Sequence, residues 1–519
     1  MGPRSPRSNG FDGWRHDDSI GSGAHSELRQ PSPNPGFGGD PNNNFVQLHS
    51  SKSAVELSAH ESVGPVAIVT ILFFLWGFAS GLLSVSYNIS LPLEDQIDTI
   101  KPTESALVGL HSAYYGGYFV GPLTFSGYIF RHYGFRITFI GGLVIYGVGC
   151  IVFWPCAVLQ TYSGFIISNF ISGLGVATIE VAANLFVAIC GPPDFWEARL
   201  NLSQGAQAIG NVFAPILADK VIFRRDERSS NTQWLISVQW GYLGVAFFDF
   251  ALALFFWYVP LPECTDAEIS RVNRWRPART SLNEKSRKRF VGKKALLLLG
   301  VWAQFCYTGA QEILSVNGPN LIATFSPEYV NKTNTYLWSA EGLLAFGRLT
   351  GGVGMFFIPA RWWYLLFSAG CIATSSLILG LQYTPNNSEA IVGLRILLQF
   401  FESILFPTIF AMSLRGLSGR NVKWGASWQV LGVCGGAVWP PVYQAIRNRY
   451  SEALAGNRAA WILVIVLFCI GPGVQSMFVN FMPSWKHKLD ALSKQELRER
   501  YEADGTIGGR LDGTNDHVA

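Results

Sequence analysis

Apolar residues fall along this chain in long blocks broken by short polar stretches. From Ser62 to Leu93 there is no Asp, Glu, Lys or Arg, and from Ile137 to Pro193 there is one, Glu180. A helix needs about 20 residues to cross the hydrocarbon of a bilayer. On that length the blocks predict twelve spans, near 65–91, 105–130, 136–158, 162–190, 202–221, 236–260, 294–323, 335–358, 362–383, 389–414, 424–446 and 459–482. The run 137–193 holds two of them, joined at Gln160, and charges intrude most in the fifth and eighth.

Composition turns these blocks into a membrane protein. Of 519 residues 49% are hydrophobic and 14% charged, where a soluble chain carries about a quarter charged. The expected class is an all-α membrane protein of twelve transmembrane helices in two six-helix, pseudo-symmetric bundles. The expected units are a disordered cytoplasmic tail over 1–64 (PSPNPGFGGDPNNN), a bundle over 65–260, a basic cytoplasmic linker over 261–293 (RVNRWRPART, EKSRKR), a bundle over 294–482, and a polar cytoplasmic tail over 483–519. Lys and Arg collect on the cytoplasmic side, so the linker puts both termini there. The acceptor patterns at Asn331 and Asn386 then fall in outside loops. The net charge of +4 comes mostly from the linker, so the expected surroundings are lipid and no nucleic acid. Eight cysteines show no metal-ligand spacing and read as free thiols. No nucleophile–base set and no phosphate-binding loop stands in the chain, so neither an enzyme nor a cofactor is expected.

The charges inside the spans carry the chemistry. An acid at the bilayer centre costs about 2.5–3.5 kcal/mol on insertion scales, so each one needs a reason. They are Glu180, Asp249, Glu312, Glu341, Arg348, Arg395 and Glu402. In a six-plus-six transporter spans 1, 4, 7 and 10 line the central cavity, and Glu180, Glu312 and Glu402 lie on three of these; they are the candidate proton-coupling residues. A carboxyl group carried between water and a dry pocket exchanges its proton and accepts hydrogen bonds from hydroxyl groups. Asp249 reads as a helix–helix contact. Arg348, in GRLTGG, reads as a residue near the cytoplasmic end that snorkels or clamps a loop. Asn184, Gln204, Gln207, Gln304, Gln311 and Trp76 are the candidate binding residues, because amides with a flat apolar ring suit a sugar, apolar on its faces and hydroxylated at its edges. Lipid contact and packing account for most other aromatics.

The residues also resemble a known family. FFLWGFASGLL (73–83), GLGVATIEVAANLFVAICGPP (173–193), RLNLSQGAQAIG (199–210), QFCYTGAQE (304–312), GRLTGG (347–352) and FPTIF (406–410) are similar to the fucose–proton symporter family of the major facilitator superfamily, over about 65–482. The superfamily's loop motif is degraded in GYIFRHYGFR (127–136), which keeps Gly127, Gly134 and Arg136 without the acidic residue. The resemblance implies the major facilitator fold, alternating access, and import of a monosaccharide such as L-fucose or a hexose with protons, at the plasma membrane and as a monomer. It implies that Glu180 is the essential acid and that Gln204 and Gln207 are an amide pair in span 5. Where the family has a further acid in span 1, this chain has Ser84. Coupling through the remaining acids is the expectation. An uncoupled facilitator, a carrier of another small polar solute, and a sensor that binds sugar without moving it stay open.

Overall fold

The structure is a computed structural model that describes residues 52–90, 104–159, 161–217, 231–274, 292–326, 333–384, 387–415, 417, 419–482 and 485. The expected glycosylation sites Asn331 and Asn386, residues 1–51, most of the linker and nearly all of the C-terminal tail lie outside them, as does the Ser84 side chain. Among the described residues there is no strand. The helices are α1 (Ala59–Ser90), α2 (Glu104–Leu123), α3 (Phe125–Leu159), α4 (Tyr162–Ile189), α5 (Trp196–Leu217), α6 (Asn231–Tyr258), α7 (Asp266–Arg274), α8 (Gly292–Phe325), α9 (Thr333–Gly354), α10 (Ala360–Leu381), α11 (Ser388–Glu402), α12 (Leu405–Leu414), α13 (Arg420–Gly432), α14 (Gly435–Arg447), α15 (Ala453–Phe468) and α16 (Val474–Phe481). The pairs α11–α12, α13–α14 and α15–α16 are each one span with an internal break, so the helices match the twelve expected. Among the described residues seven spans are long and apolar enough to cross a membrane on length and composition alone. The other five are α2, α5, α8, α9 and the α13–α14 pair.

Spans 2 and 3 turn at Gly134. Helix continues past Thr124, whose N–H donates to Val120, and the reversal comes where Gly134 takes φ 80°. A side chain is strained at that angle, so glycine belongs there. The Glu263 carboxylate then accepts the N–H groups of Phe135 (3.1 Å) and Arg136 (2.9 Å), an anion on the exposed donors of a helix start. The expected boundaries 105–130 and 136–158 therefore bracket the true turn.

Helices α2 and α4 cross without room for a β-carbon. One placed on Gly117 meets the Gly173 carbonyl carbon at 2.6 Å, and one on Gly173 meets the Tyr114 carbonyl carbon at 2.8 Å. Small residues at a crossing let backbones approach, which is how membrane helices pack without a hydrophobic driving force.

The chain ahead of α1 is more ordered than its composition suggests. Ala54 is fully buried in a short turn. Its N–H donates to the Glu263 carbonyl, its carbonyl accepts from Gly191, and Ser53 Oγ donates to Glu268 at 2.8 Å. Cys264 is buried beside this strap, and burial pushes its thiol up, so it stays protonated and unreactive. All eight cysteines are free.

At this same end the two halves are tied together. Glu197, at the start of α5, pairs through two hydrogen bonds with the Arg415 guanidinium just past α12, and both side chains are buried. Asn201 donates to Thr408 (3.2 Å), Lys423 pairs with Asp266 (3.0 Å), and the Arg131 guanidinium lies 3.4 Å over the Trp424 ring. Removing one partner of a buried ion pair strands the other charge, at about 3–5 kcal/mol. Arg415→Ala is therefore expected to lower the melting temperature of detergent-purified protein, and Glu197→Gln in the same chain to recover part of the loss. A melting curve unchanged by Arg415→Ala would show that the tie is not closed in solution.

Candidate functional site

Glu180 sits two-thirds of the way along α4, in a stretch where Ala177, Ala182 and Ala183 leave space around it. It is 1% exposed. Asn184, one turn on, donates to Glu180 Oε1 at 3.3 Å, and Gln204 of α5 donates to Asn184 Oδ1 at 2.9 Å. The spacing of i and i+4 puts the acid and the first amide on one helix face. Among the described residues Glu180 Oε2 makes no hydrogen bond, and Tyr118 of α2 stands next to the carboxyl group. Neither Arg nor Lys forms an ion pair with Glu180 among the described residues. A small cavity of about 10 Å³ opens on it, walled by Leu72, Phe73, Trp76, Val176, Ile179 and Ala183. Trp76 also meets the Phe406 ring edge-on at 6.1 Å, so its indole spans the space between the halves. The cavity is smaller than the roughly 300–1,000 Å³ of ligand pockets, so a solute enters only after the walls part.

Arg348 corrects an expectation. It does not snorkel; it is 3% exposed at the centre of the protein. Its Nε donates to the Ser403 carbonyl at 3.0 Å, and one terminal nitrogen donates to the Gln204 carbonyl at 2.9 Å and to Gln207 Oε1. Pro407 explains the first contact. Proline has no N–H, so the carbonyl four residues earlier, that of Ser403, loses its helical donor. The kink between α11 and α12 thus presents an acceptor that Arg348 fills, and the other prongs of the guanidinium reach across to α5.

The structure brings together Glu180, Asn184, Gln204, Gln207 and Trp76. Gln304 and Gln311 are not joined to them by a hydrogen bond among the described residues; Gln304 is fully buried against Gly432. Glu312 of α8 lies 3.1 Å from the His111 ring nitrogen of α2. Glu402 is fully buried in the other half, with Arg395, Glu341 and Glu312 as its charged surroundings. Glu341 accepts from Gln399 at 3.3 Å and from Asn211 at 3.4 Å, and does not pair with Arg348 seven residues on. Asp249 is fully buried in the first half near Tyr146 and Cys150. The sequence reading missed His111, Tyr115 and Tyr118 altogether. Their spacing of four and three residues on α2 was the available signal, hidden among ordinary aromatics.

A sequence profile of the Major Facilitator Superfamily matches residues 67–360. The chain belongs to this superfamily. It is 27% identical over 442 residues to the L-fucose-proton symporter of Escherichia coli (strain K12), covering 77% of this chain and 91% of that protein. It is also 27% identical over 409 residues to a glucose/galactose transporter of Brucella abortus biovar 1, covering 77% and 92%. Among solved structures, the E. coli fucose:proton symporter FucP superposes with a TM-score of 0.60 at 24% identity over 80% of this chain and 99% of that one. The proton:xylose symporter XylE gives 0.60 at 15% identity over 84% and 98%. This major facilitator chain thus has the twelve-helix, two-bundle fold of those neighbours, and its superfamily is one of transporters, not enzymes.

Proposed function

We propose that this protein is a secondary transporter that moves a monosaccharide of the L-fucose or hexose type together with protons, by alternating access. The observation that carries the reading is Glu180: a membrane-embedded carboxyl group with no ion-pair partner among the described residues, continued by the Asn184–Gln204 amides and roofed by the Trp76 indole. An acid with a fixed basic partner is a structural strut, whereas this one is left with acceptor capacity for a hydroxyl group and a proton. Relatives named for L-fucose and for glucose or galactose support the solute class. In this reading the halves 65–260 and 294–482 rock about Glu180, the basic linker 261–293 and both termini face the cytoplasm, and the protein works as a monomer in the plasma membrane. The ties at Glu197–Arg415 and Lys423–Asp266 then close the cytoplasmic side.

Counterflow in proteoliposomes tests it. Vesicles preloaded with unlabelled L-fucose, D-glucose or D-galactose are expected to draw in the same labelled sugar transiently above its outside concentration. Binding of a sugar without exchange would make the protein a sensor, and failure of all three to bind or exchange would remove sugars as its solute.

A further inference from the structure

Four aromatic residues of α2 share one face: His111, Tyr114, Tyr115 and Tyr118 lie at i, i+3, i+4 and i+7. They touch in series. The His111 and Tyr115 rings are 4.9 Å apart between centroids, Tyr114 and Tyr115 5.2 Å, Tyr115 and Tyr118 5.5 Å, and Tyr114 and Tyr118 5.8 Å. Both ends of the row reach a carboxyl group. At one end the His111 ring nitrogen is 3.1 Å from Glu312 Oε2, with side chains 6% and 13% exposed, and Tyr115 also stands beside Glu312. At the other end Tyr118 stands beside Glu180. By helical rise His111 lies about 10 Å from the end of α2 remote from the linker, while Glu180 lies deeper, about 27 Å along α4. The pair also joins the halves, since α2 belongs to the first and α8 to the second.

We propose that His111 and Glu312 are the proton-entry pair of this transporter and that the tyrosine row carries the proton from them to Glu180. The inference rests on the transport reading above. In the transfer His111 takes a proton from the side remote from the linker and passes it to the Glu312 carboxylate. Glu312 then gives the proton to Tyr115 and is a carboxylate again; Tyr115 and then Tyr118, with Tyr114 between them, each accept one proton on the hydroxyl oxygen and release their own, a swing or one bridging water closing each gap. Glu180 ends protonated and the tyrosines end as they began. One proton has moved, and no charge is created. Other charged and titratable groups surround the pair. Tyr307 of α8, Glu341 of α9 and Glu402 of α11 act on Glu312. Helices α13 and α14, which also pack on α2, carry Arg420, Lys423 and Arg447 close to helix ends, and α3 carries Arg131 and Arg136 toward its linker end. The near basic group is Arg395 of α11, whose guanidinium donates to the Leu314 carbonyl, two residues from Glu312, at 3.1 Å.

Sugar-driven proton influx, read with a pH dye trapped in proteoliposomes, tests the row alongside counterflow of the same sugar. In His111→Gln and Glu312→Gln the loss of proton influx is expected to exceed the loss of counterflow at least tenfold, and the rise of uptake at acid pH is expected to flatten. Tyr115→Phe, which removes a hydroxyl group and keeps the ring, is expected to slow influx about fivefold or more. Influx and pH profile matching the wild type in all three variants would overturn the proposal while leaving transport intact. Absence of counterflow in the wild type would instead overturn the transport reading itself. Should His111→Gln fold poorly, Tyr115→Phe decides alone, and unchanged influx in it counts against the row.

Discussion

Glu180→Gln is expected to bring steady-state accumulation of sugar down to the outside concentration. One proton coupled to one sugar converts each pH unit of gradient into a free-energy difference of about 1.4 kcal/mol, or tenfold accumulation. Across two pH units the wild type can therefore concentrate sugar up to about 100-fold, and a variant that cannot take the proton settles at a ratio near one. Glutamine keeps the size and the acceptor oxygen, so Asn184 can still donate and the fold has no new buried charge to accommodate. Expression and melting temperature are expected to stay near wild type, which separates a coupling defect from misfolding. Accumulation like that of the wild type in Glu180→Gln would falsify the role given to this residue.

Arg348→Ala is expected to cost both stability and transport. The guanidinium fills the Ser403 carbonyl, the Gln204 carbonyl and Gln207 Oε1 at once. Each buried acceptor left without a donor costs about 1–3 kcal/mol, and water entering the gap recovers part of it. Uptake is expected to fall more than tenfold, with a melting temperature lower by several degrees. Arg348→Lys is expected to recover little, because an ammonium group lacks the planar fork that serves acceptors on two helices. Full uptake in the lysine variant would show that charge alone, not geometry, is needed at this point.

The two sites were legible in the sequence to different degrees. Glu180 stood out because a lone acid in a long uncharged run has no local explanation, and Asn184 was one of several amides inside the spans. Gln204 and Gln207 stood among the amides of the spans, the resemblance paired them, and the hydrogen bond to Asn184 gives the first of them a physical reason. Arg348 was misread because its sequence neighbours, GRLTGG, look like a helix end. What holds it are carbonyl groups on α5 and at the kink before α12, and backbone acceptors leave no trace in composition. The pairing of His111 with Glu312 joins residues about two hundred positions apart, in different halves, and no periodicity within one span reports it. The helix count was legible because bilayer thickness sets it. The strap at Ala54 was not, because three well-placed contacts order a segment whose composition alone predicts none.

The crossing of α2 on α4, backbone against backbone at Gly117 and Gly173, has a consequence for motion. Two helices meshed that tightly slide past one another only by breaking many contacts at once, so they travel as a single blade. The distance from Tyr118 to Glu180 is then held through the cycle, and the joints along the row that open and close are those Glu312 makes with His111 and Tyr115. Wedging the blade apart with Gly173→Leu should uncouple sugar from proton even though every polar side chain stays in place.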